Sequence, residues 1–183
     1  MPIYNCVHYT KHVVTQIYKY TSNAYELILI DNGSSDETIG LLKSYRNDDN
    51  VTVIKNTENM GYAYANNQGI QKAESEYLCF LNNDVLLYPD WDIDLLRPFS
   101  QYNDIGATGP VTNNCAGVQC GDYTLQNIGK ESYSVIAKQR SKELANNYRE
   151  YHRIIGFCLM AKTQLIKEIR GFDESYNIGN YED

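Results

Sequence analysis

The sequence contains no long apolar run and no excess of basic charge. Among its 183 residues, no apolar stretch approaches the ~20 residues that a membrane-spanning helix requires. The first residues show no basic segment followed by an apolar one, so no signal peptide is predicted. The 16 Lys and Arg residues are outnumbered by 23 Asp and Glu residues, giving a formal net charge of -7. This balance argues against a nucleic-acid-binding surface, and it predicts that a bound diphosphate needs a metal ion as intermediary.

The cysteines are few and odd in number. Of the five, only Cys115 and Cys120 stand close together in the sequence. A structural zinc site normally takes a second closely spaced pair, which is absent here. The pattern therefore favours reduced thiols and a cytoplasmic location over a zinc site or a disulfide framework.

Short apolar runs alternate along the chain with segments of helical period. Strands are predicted at 27–30, 51–54, 77–81, 105–111 and 154–160. Helices are predicted at 39–45, at 63–73, from Pro89 onward and at 140–151, with a loop-rich segment at 113–133. Ser34 and Glu37 have the spacing of a capping box before the first of these helices. This order predicts one α/β domain over 1–183, with right-handed βαβ units around a Rossmann-like, mostly parallel sheet.

Three predicted strands end in polar segments that are candidates for a binding site. They are Asp31-Asn32, the segment 56–61, and Asn82-Asn83-Asp84. Open α/β sheets bind ligands outside the carboxyl ends of their strands, so these segments are expected at one edge. The alternative for Asp31-Asn32 is an ordinary strand-to-helix turn, in which the same residue types are common.

The segment Asn82-Asn83-Asp84 interrupts apolar residues on both sides. Asp84 is a hard oxygen ligand suited to Mg²⁺ or Mn²⁺, and Asn82 has the chemistry to bond a ribose hydroxyl. A solvated turn is the alternative. Acidic residues also cluster at 171–174 and 181–183, where a carboxylate in a cleft could act as a general base.

Together these segments resemble the family 2 glycosyltransferases, the inverting family with a GT-A fold. The matches follow the family's order at 2–5, 26–38, 59–63 with Asn67, Gly69, Ile70 and Ala73, 77–85, 156–160, 171–174 and 182–183. The resemblance implies a nucleotide-sugar-binding half at 1–104 and an acceptor-side half at 105–183. Both ends of the chain look cut, because most of the first strand and everything after Asp183 are missing from the pattern.

The resemblance also implies roles for individual residues. Donor binding is expected from Pro2, Tyr4, Asp31, Asn32, Ser34, Gly61, Asn82 and Asn83. Asp84 is the expected ligand of Mn²⁺ or Mg²⁺, Asp183 the expected catalytic base, and Glu182 the second choice. The donor implied is a UDP- or dTDP-sugar. The acceptor implied is a surface polysaccharide, a lipid-linked glycan or a protein, with membrane association through parts outside this chain.

The sequence departs from the family pattern at two places. The segment Asn82-Asn83-Asp84 stands where the family has its DXD-type metal motif, and an amide replaces one of the two carboxylates. Metal should therefore bind less tightly. Asn32 stands where many members have a second Asp. Two alternatives stay open: a non-catalytic nucleotide-sugar or glycan-binding module, and a nucleotidyltransferase. The latter usually has a Gly-rich basic loop after its first strand, where this chain has Asn5-Cys6-Val7-His8.

Overall fold

A computed structural model describes residues 1–113, 115, 119–121 and 130–176, which form two three-stranded sheets and flanking helices. The first sheet contains β1 (Pro2–Ile3), β2 (Leu27–Asn32) and β3 (Val51–Asn56), in the order β1-β2-β3 and all parallel. Every residue of β2 is buried, which explains its unbroken apolar run, since a central parallel strand is covered on both faces. This sheet confirms the predicted α/β architecture.

The second sheet contains β4 (Tyr77–Leu81), β5 (Ala107–Thr108) and β6 (Cys158–Lys162), in the order β4-β6-β5. The central strand β6 runs antiparallel to both neighbours. Among the strands of the described residues the parallel pairs lie in the first sheet, whereas the sequence predicted a mostly parallel arrangement. An isolated parallel bridge also joins Thr112 and Cys120. Leu81 at the end of β4 pairs with Cys158 at the start of β6, so β6 begins at the edge where β4 ends.

Six helices cover the sheets in the described part of the chain. They are α1 (Val7–Tyr20), α2 (Thr38–Ser44), α3 (Tyr62–Lys72), α4 (Trp91–Gln101), α5 (Lys130–Glu143) and α6 (Thr163–Glu168), followed by a 3₁₀ turn at Glu174–Tyr176. Helix α1 buries Thr10, Val13, Val14 and Ile17, a stripe at helical spacing that faces the core. None of the described helices is both long and apolar enough to cross a bilayer.

One hydrophobic core joins the two sheets. It includes Leu29 of β2, Leu81 of β4 and Met160 of β6, together with Val14 of α1 and Trp91 of α4. Burying side chains of this size contributes ~1.5–3 kcal/mol each relative to exposure in water. The helices and both sheets are therefore held as one unit around this core.

Some sequence predictions of local structure need correction. The strand expected at 105–111 is reduced to Ala107–Thr108, and the one at 154–160 lies at Cys158–Lys162. The helix expected at 140–151 ends at Glu143, and Asn146 beyond it has a left-handed φ of 66°. The capping box is also wrong: Glu37 precedes α2 without a side-chain capping bond. The Ser34 hydroxyl instead accepts a hydrogen bond from the Asn5 N–H.

Candidate functional site

The turn after β2 stands at the carboxyl edge of the parallel sheet. Asp31 is 2% exposed, and its Oδ1 accepts a 2.9 Å hydrogen bond from the Ser34 N–H. Ile3 of β1 pairs with Asp31, so the β1 segment Pro2–Ile3 and the exposed Tyr4 lie beside this turn. Gly33, in the turn between Asp31 and Ser34, has a φ of 82°, and a Cβ there would lie only 2.5 Å from the Glu58 carbonyl carbon. Only glycine fits this turn without displacing the neighbouring backbone.

The loop from β1 to α1 is bonded reciprocally to the same turn. The Asn5 N–H donates to the Ser34 hydroxyl at 2.9 Å, and the Ser35 N–H donates to Asn5 Oδ1 at 2.8 Å. The Val7 N–H, at the start of α1, donates to Asp36 Oδ2 at 3.3 Å. Asn5 has a left-handed φ of 56°, a conformation that Asn tolerates better than most residues. These bonds fix the first turn of α1 against the Asp31 turn.

The loop after β4 is held by two different partners. The Asn82 N–H donates to the Phe157 carbonyl at 2.9 Å, which continues the pairing of β4 with β6. The Asn83 Nδ2 donates to the Thr10 hydroxyl on α1 at 3.0 Å. Asp84 follows with its side chain exposed. Because α1 contacts both loops, it connects the predicted nucleotide turn with the predicted metal motif.

A cluster of side-chain amides around the buried Asn32 lies behind the Asp31 turn, and we call it the Asn32 network. Its members are the side chains of Asn32, Asn56, Asn59 and Gln68 and the backbone of Met60 and Gly61. Asn32 is 4% exposed, and both its amide nitrogen and its oxygen bond within the network. A nucleotide base contact from this amide would require one of those bonds to break.

Helix α3 connects this network with the segment that precedes β6. The Tyr62 hydroxyl, in the first turn of α3, donates to the Gly156 carbonyl at 2.8 Å. The Phe172 ring packs edge-on against Tyr62 and Phe80, with ring centroids 5.7 Å and 4.7 Å apart. The predicted acceptor-side segments at 156–160 and 171–174 thus both contact elements that carry the donor-side residues.

The segment 171–174 is also bonded to Asn67 of α3. The Asn67 Nδ2 donates to the Phe172 carbonyl at 3.0 Å and to Glu174 Oε1 at 2.8 Å, while its Oδ1 accepts from the Phe172 N–H at 2.9 Å. Hydrogen bonds from the Ser175 backbone and hydroxyl lower the pKa of Asp173 below its ordinary value. This loop therefore carries a negative charge at neutral pH and has a fixed position on α3.

The residues at the end of β4 fit a hard divalent cation that keeps several of its own ligands. Among the described residues, no three His, Cys, Asp or Glu side chains come together to form a metal cluster. Asp84 offers one exposed carboxylate. Mg²⁺, and Mn²⁺ with similar oxygen preferences, suit sites of one or two carboxylates completed by phosphate oxygens and water. Asp84 thus suits a cation that arrives with a diphosphate.

The structure brings some of the predicted site residues to one edge of the first sheet and leaves two outside its description. Pro2, Tyr4, Asp31 and Ser34 lie together through the β1 pairing and the Asn5 bonds. Glu182 and Asp183 fall outside the described residues. The sequence analysis did not identify Asn5, Thr10 or Tyr62 as residues that join these segments. Their partners are far away in sequence, so no local spacing signals them.

Comparison with known proteins shows the family of this chain. The profile of the family described as Glycosyl transferase family 2 matches residues 1–170. The uncharacterized glycosyltransferase RT0329 of Rickettsia typhi is 28% identical over 179 residues, covering 96% of this chain and 52% of that protein. The chain therefore spans about half the length of this relative.

Two solved structures share the fold. The mannosyltransferase PcManGT from Pyrobaculum calidifontis, in complex with GDP-Man and Mn²⁺, has a TM-score of 0.66 at 20% identity. It is matched over 94% of this chain and 46% of its own. S. aureus TarS 1-349 in complex with UDP has a TM-score of 0.66 at 19% identity, over 95% of this chain and 49% of its own. The fold is the GT-A fold that the sequence resemblance implied.

Proposed function

The chain belongs to glycosyl transferase family 2, and we propose that it transfers a sugar from a nucleotide-diphosphate donor to an acceptor hydroxyl with inversion at the anomeric carbon. One observation carries the proposal: α1 is bonded at Val7 to the turn after β2 and at Thr10 to the loop after β4. The turn after β2 and the loop after β4, each at the carboxyl end of its strand, are therefore bonded to the same helix, and α/β sheets bind ligands at such strand ends.

The base and ribose of the donor are proposed to bind beside β1 and β2. Asp31 is buried, and a carboxylate that accepts one bond from the Ser34 N–H has further lone pairs for the imide N–H of uracil or thymine. Tyr4 is exposed beside it and has a ring that can cover the base. Asn82, at the end of β4, is proposed to bond the ribose. UDP- and dTDP-sugars are the proposed donors.

The diphosphate is proposed to bind near Asp84. A divalent cation, Mn²⁺ or Mg²⁺, neutralises charge on the departing diphosphate when it is bound. Asp84 supplies a carboxylate oxygen to hold it, and the Asn83–Thr10 bond fixes the loop that carries Asp84. Because one carboxylate stands in the motif, metal binding is expected to depend strongly on the nucleotide.

The acceptor is proposed to bind on the side of 156–160 and 171–174. Asp183 is proposed to take the proton from the attacking hydroxyl, with Glu182 as the second candidate. A single displacement with the hydroxyl attacking opposite the leaving diphosphate inverts the anomeric centre. The bonds of Asn67 to Phe172 and Glu174 support this assignment, because they hold the segment that leads toward these acids.

The test is a thermal-shift titration with UDP, dTDP and GDP, each with and without Mn²⁺. At 100 times Kd, binding adds ~2.7 kcal/mol of stability, or roughly 5–10 °C in Tm. We expect a Mn²⁺-dependent shift that disappears in Asp84→Asn and persists in Asp49→Asn, a matched change of an exposed carboxylate before β3. No shift with any nucleotide would count against the donor site.

A non-catalytic binding module is the second candidate, favoured by the single carboxylate of the metal motif. Measuring turnover of the sugar donor distinguishes the enzyme from the binding module. The enzyme predicts release of nucleoside diphosphate from the preferred sugar donor, and Asp183→Asn should lower this rate while leaving the thermal shift intact. A binding module predicts the shift without turnover in either protein.

A further inference from the structure

The side-chain amide of Asn32 makes four hydrogen bonds. Its Nδ2 donates to Asn59 Oδ1 at 2.8 Å and to the Gly61 carbonyl at 3.1 Å. Its Oδ1 accepts from Asn56 Nδ2 at 3.0 Å and from the Met60 N–H at 3.1 Å. Asn59 Oδ1 accepts a further bond from the Gly61 N–H at 3.0 Å. Both amide hydrogens and both oxygen lone pairs of Asn32 are thereby used.

The backbone partners fix which way this amide faces. The Met60 N–H can only donate, so it must meet the oxygen of Asn32. The Gly61 carbonyl can only accept, so it must meet the nitrogen. If the amide were flipped, its nitrogen would face the Met60 N–H and its oxygen would face the Gly61 carbonyl. Donor would then face donor, and acceptor would face acceptor. The orientation therefore follows from the backbone and does not depend on how the neighbouring amides are assigned.

The same reasoning explains why a carboxylate is unsuited to position 32. An Asp side chain would accept from Met60 and Asn56, but its second oxygen would face the Gly61 carbonyl and Asn59 Oδ1 without a proton to donate. Because Asn32 is 4% exposed, that oxygen would be desolvated and repelled by two acceptors. The groups around position 32 therefore suit the Asn of this chain better than the Asp that many family members have there.

We infer that Asn32 is a positioning residue that holds the Asn59–Gly61 turn against β2 and so shapes the donor site without itself contacting the base. The inference rests on the proposed function, because it assigns this role relative to a nucleotide donor. The turn leads directly into α3, whose Tyr62 donates to the Gly156 carbonyl on the acceptor side. Asn32 therefore also fixes where α3 begins between the two halves of the site.

The test compares Asn32→Asp with Asn103→Asp, which adds the same charge at an exposed position after α4. Two quantities are measured: amide hydrogen exchange of Met60 and Gly61, and the Kd of the nucleoside diphosphate with Mn²⁺ at pH 8 and pH 5.5. We expect faster exchange and a Kd raised at least ~10-fold at pH 8 in Asn32→Asp alone.

The pH comparison separates positioning from general damage. At pH 5.5 the carboxyl group introduced by Asn32→Asp can take up a proton and donate one of the two lost bonds, so the ratio of the variant's Kd to that of wild type should fall several-fold. Other charged groups near this position are Asp31 on β2, Lys55 on β3 and Glu58 in the following loop, while Tyr62, Tyr64 and Lys72 are the ionisable residues of α3. These groups are present in all three proteins, and the Asn103→Asp protein shows how much of the pH effect is unrelated to position 32.

Each remaining outcome overturns a distinct statement. Faster exchange with an unchanged Kd would make the network structural only. A raised Kd with unchanged exchange and no recovery at pH 5.5 would mean that Asn32 contacts the nucleotide directly. If wild type binds no nucleotide, the proposed function fails and the donor role fails with it, while exchange still reports on the turn. If Asn32→Asp does not fold, Asn59→Ala should raise Kd and accelerate Gly61 exchange without pH recovery, and an unchanged Kd there would refute the inference.

Discussion

The side-chain amide of Asn83 donates a 3.0 Å hydrogen bond to the hydroxyl of Thr10, which is fully buried on α1. This bond joins the loop after β4 to the helix that also contacts the turn after β2. A second bond joins α1 to the segment after β4, since Gln16 Oε1 accepts a hydrogen bond from the Leu87 N–H at 2.8 Å. Helix α1 thus connects the turn after β2 with the loop that carries Asp84.

Replacing Thr10 by Val should weaken metal-dependent nucleotide binding. The change keeps the shape but removes the acceptor of Asn83, and a lost hydrogen bond of this kind costs ~1 kcal/mol. Thr15→Val is the control, because the Thr15 hydroxyl donates to the Lys11 carbonyl at an exposed position of the same helix. Thermal unfolding with and without nucleotide and Mn²⁺ measures both effects. An unchanged nucleotide Kd in Thr10→Val would show that this bond does not position Asp84.

Replacing Gly171 by Ala should destabilise the protein by ~1–3 kcal/mol. Gly171 has a φ of 76°, and a Cβ there would collide with Asn67 Oδ1 and lie 2.9 Å from Ile70 Cδ1. Gly40→Ala is the matched control, since no atom lies within 4 Å of its added Cβ and it stands inside α2. That change should stabilise by ~0.5–1 kcal/mol. Equal effects at the two positions in denaturant unfolding would contradict the packing of 171–174 on α3.

Replacing Asn67 by Asp should lower turnover about ten-fold while donor affinity changes little. The carboxylate can still accept from the Phe172 N–H, but it cannot donate to the Phe172 carbonyl and it repels Glu174. A small displacement of groups near the chemistry has effects of this order or larger. The double variant Asn67→Asp/Glu174→Gln should recover part of the rate, because the repulsion is removed. Additive losses in the double variant would argue against this coupling.

Glu26 should make the protein less stable as the solution becomes acidic. Burial raises the pKa of its carboxyl. Hydrogen bonds from Glu74 and Ser75 and the charge of Lys167 lower it by a larger amount, so the net pKa lies below its ordinary value. A carboxyl with a lowered folded-state pKa stabilises the fold above its unfolded pKa, and this contribution is lost as the pH falls through the folded value.

The measurement is denaturant unfolding of wild type and Glu26→Gln at pH 7 and pH 3. Because Glu26 is exposed, the difference at pH 7 should be only a few tenths of a kcal/mol to ~1 kcal/mol. It should shrink toward pH 3, because protonation of the wild-type carboxyl removes its advantage over the amide. A difference that stays constant between these pH values would rule out the ionised carboxylate as its source.

The sequence was sufficient to predict the elements whose signals are local. The run Tyr77–Leu81 is a strand with the predicted bounds, and β2 and β3 each extend the predicted segment by two residues. The apolar run of β2 is continuous because every residue of this strand is buried, with both faces covered. The direction of β6 was not predictable in this way, because antiparallel and parallel pairing leave the same short apolar run.

The candidate site was predictable at the level of segments and less so at the level of contacts. The rule that ligands bind at the carboxyl ends of strands predicted Asp31 and Asp84 at one edge, and the structure bonds the segments that carry them to the same helix, α1. The partners of Asn32 were not foreseen, because Asn56, Asn59 and Gly61 reach it only after β2 and β3 pair and α3 packs. The same holds for Thr10 and Asn83, which lie on elements with no sequence relation to each other.

The position of β6 between β4 and β5 has a consequence for how the protein is made. During synthesis, β4 and β5 leave the ribosome long before Cys158–Lys162, so the middle strand of their sheet arrives last. Until then the β4 backbone offers an unpaired strand edge, the feature through which partly folded chains associate. Contacts this distant in sequence also form slowly, so chaperone demand and misfolding should concentrate in this interval of translation.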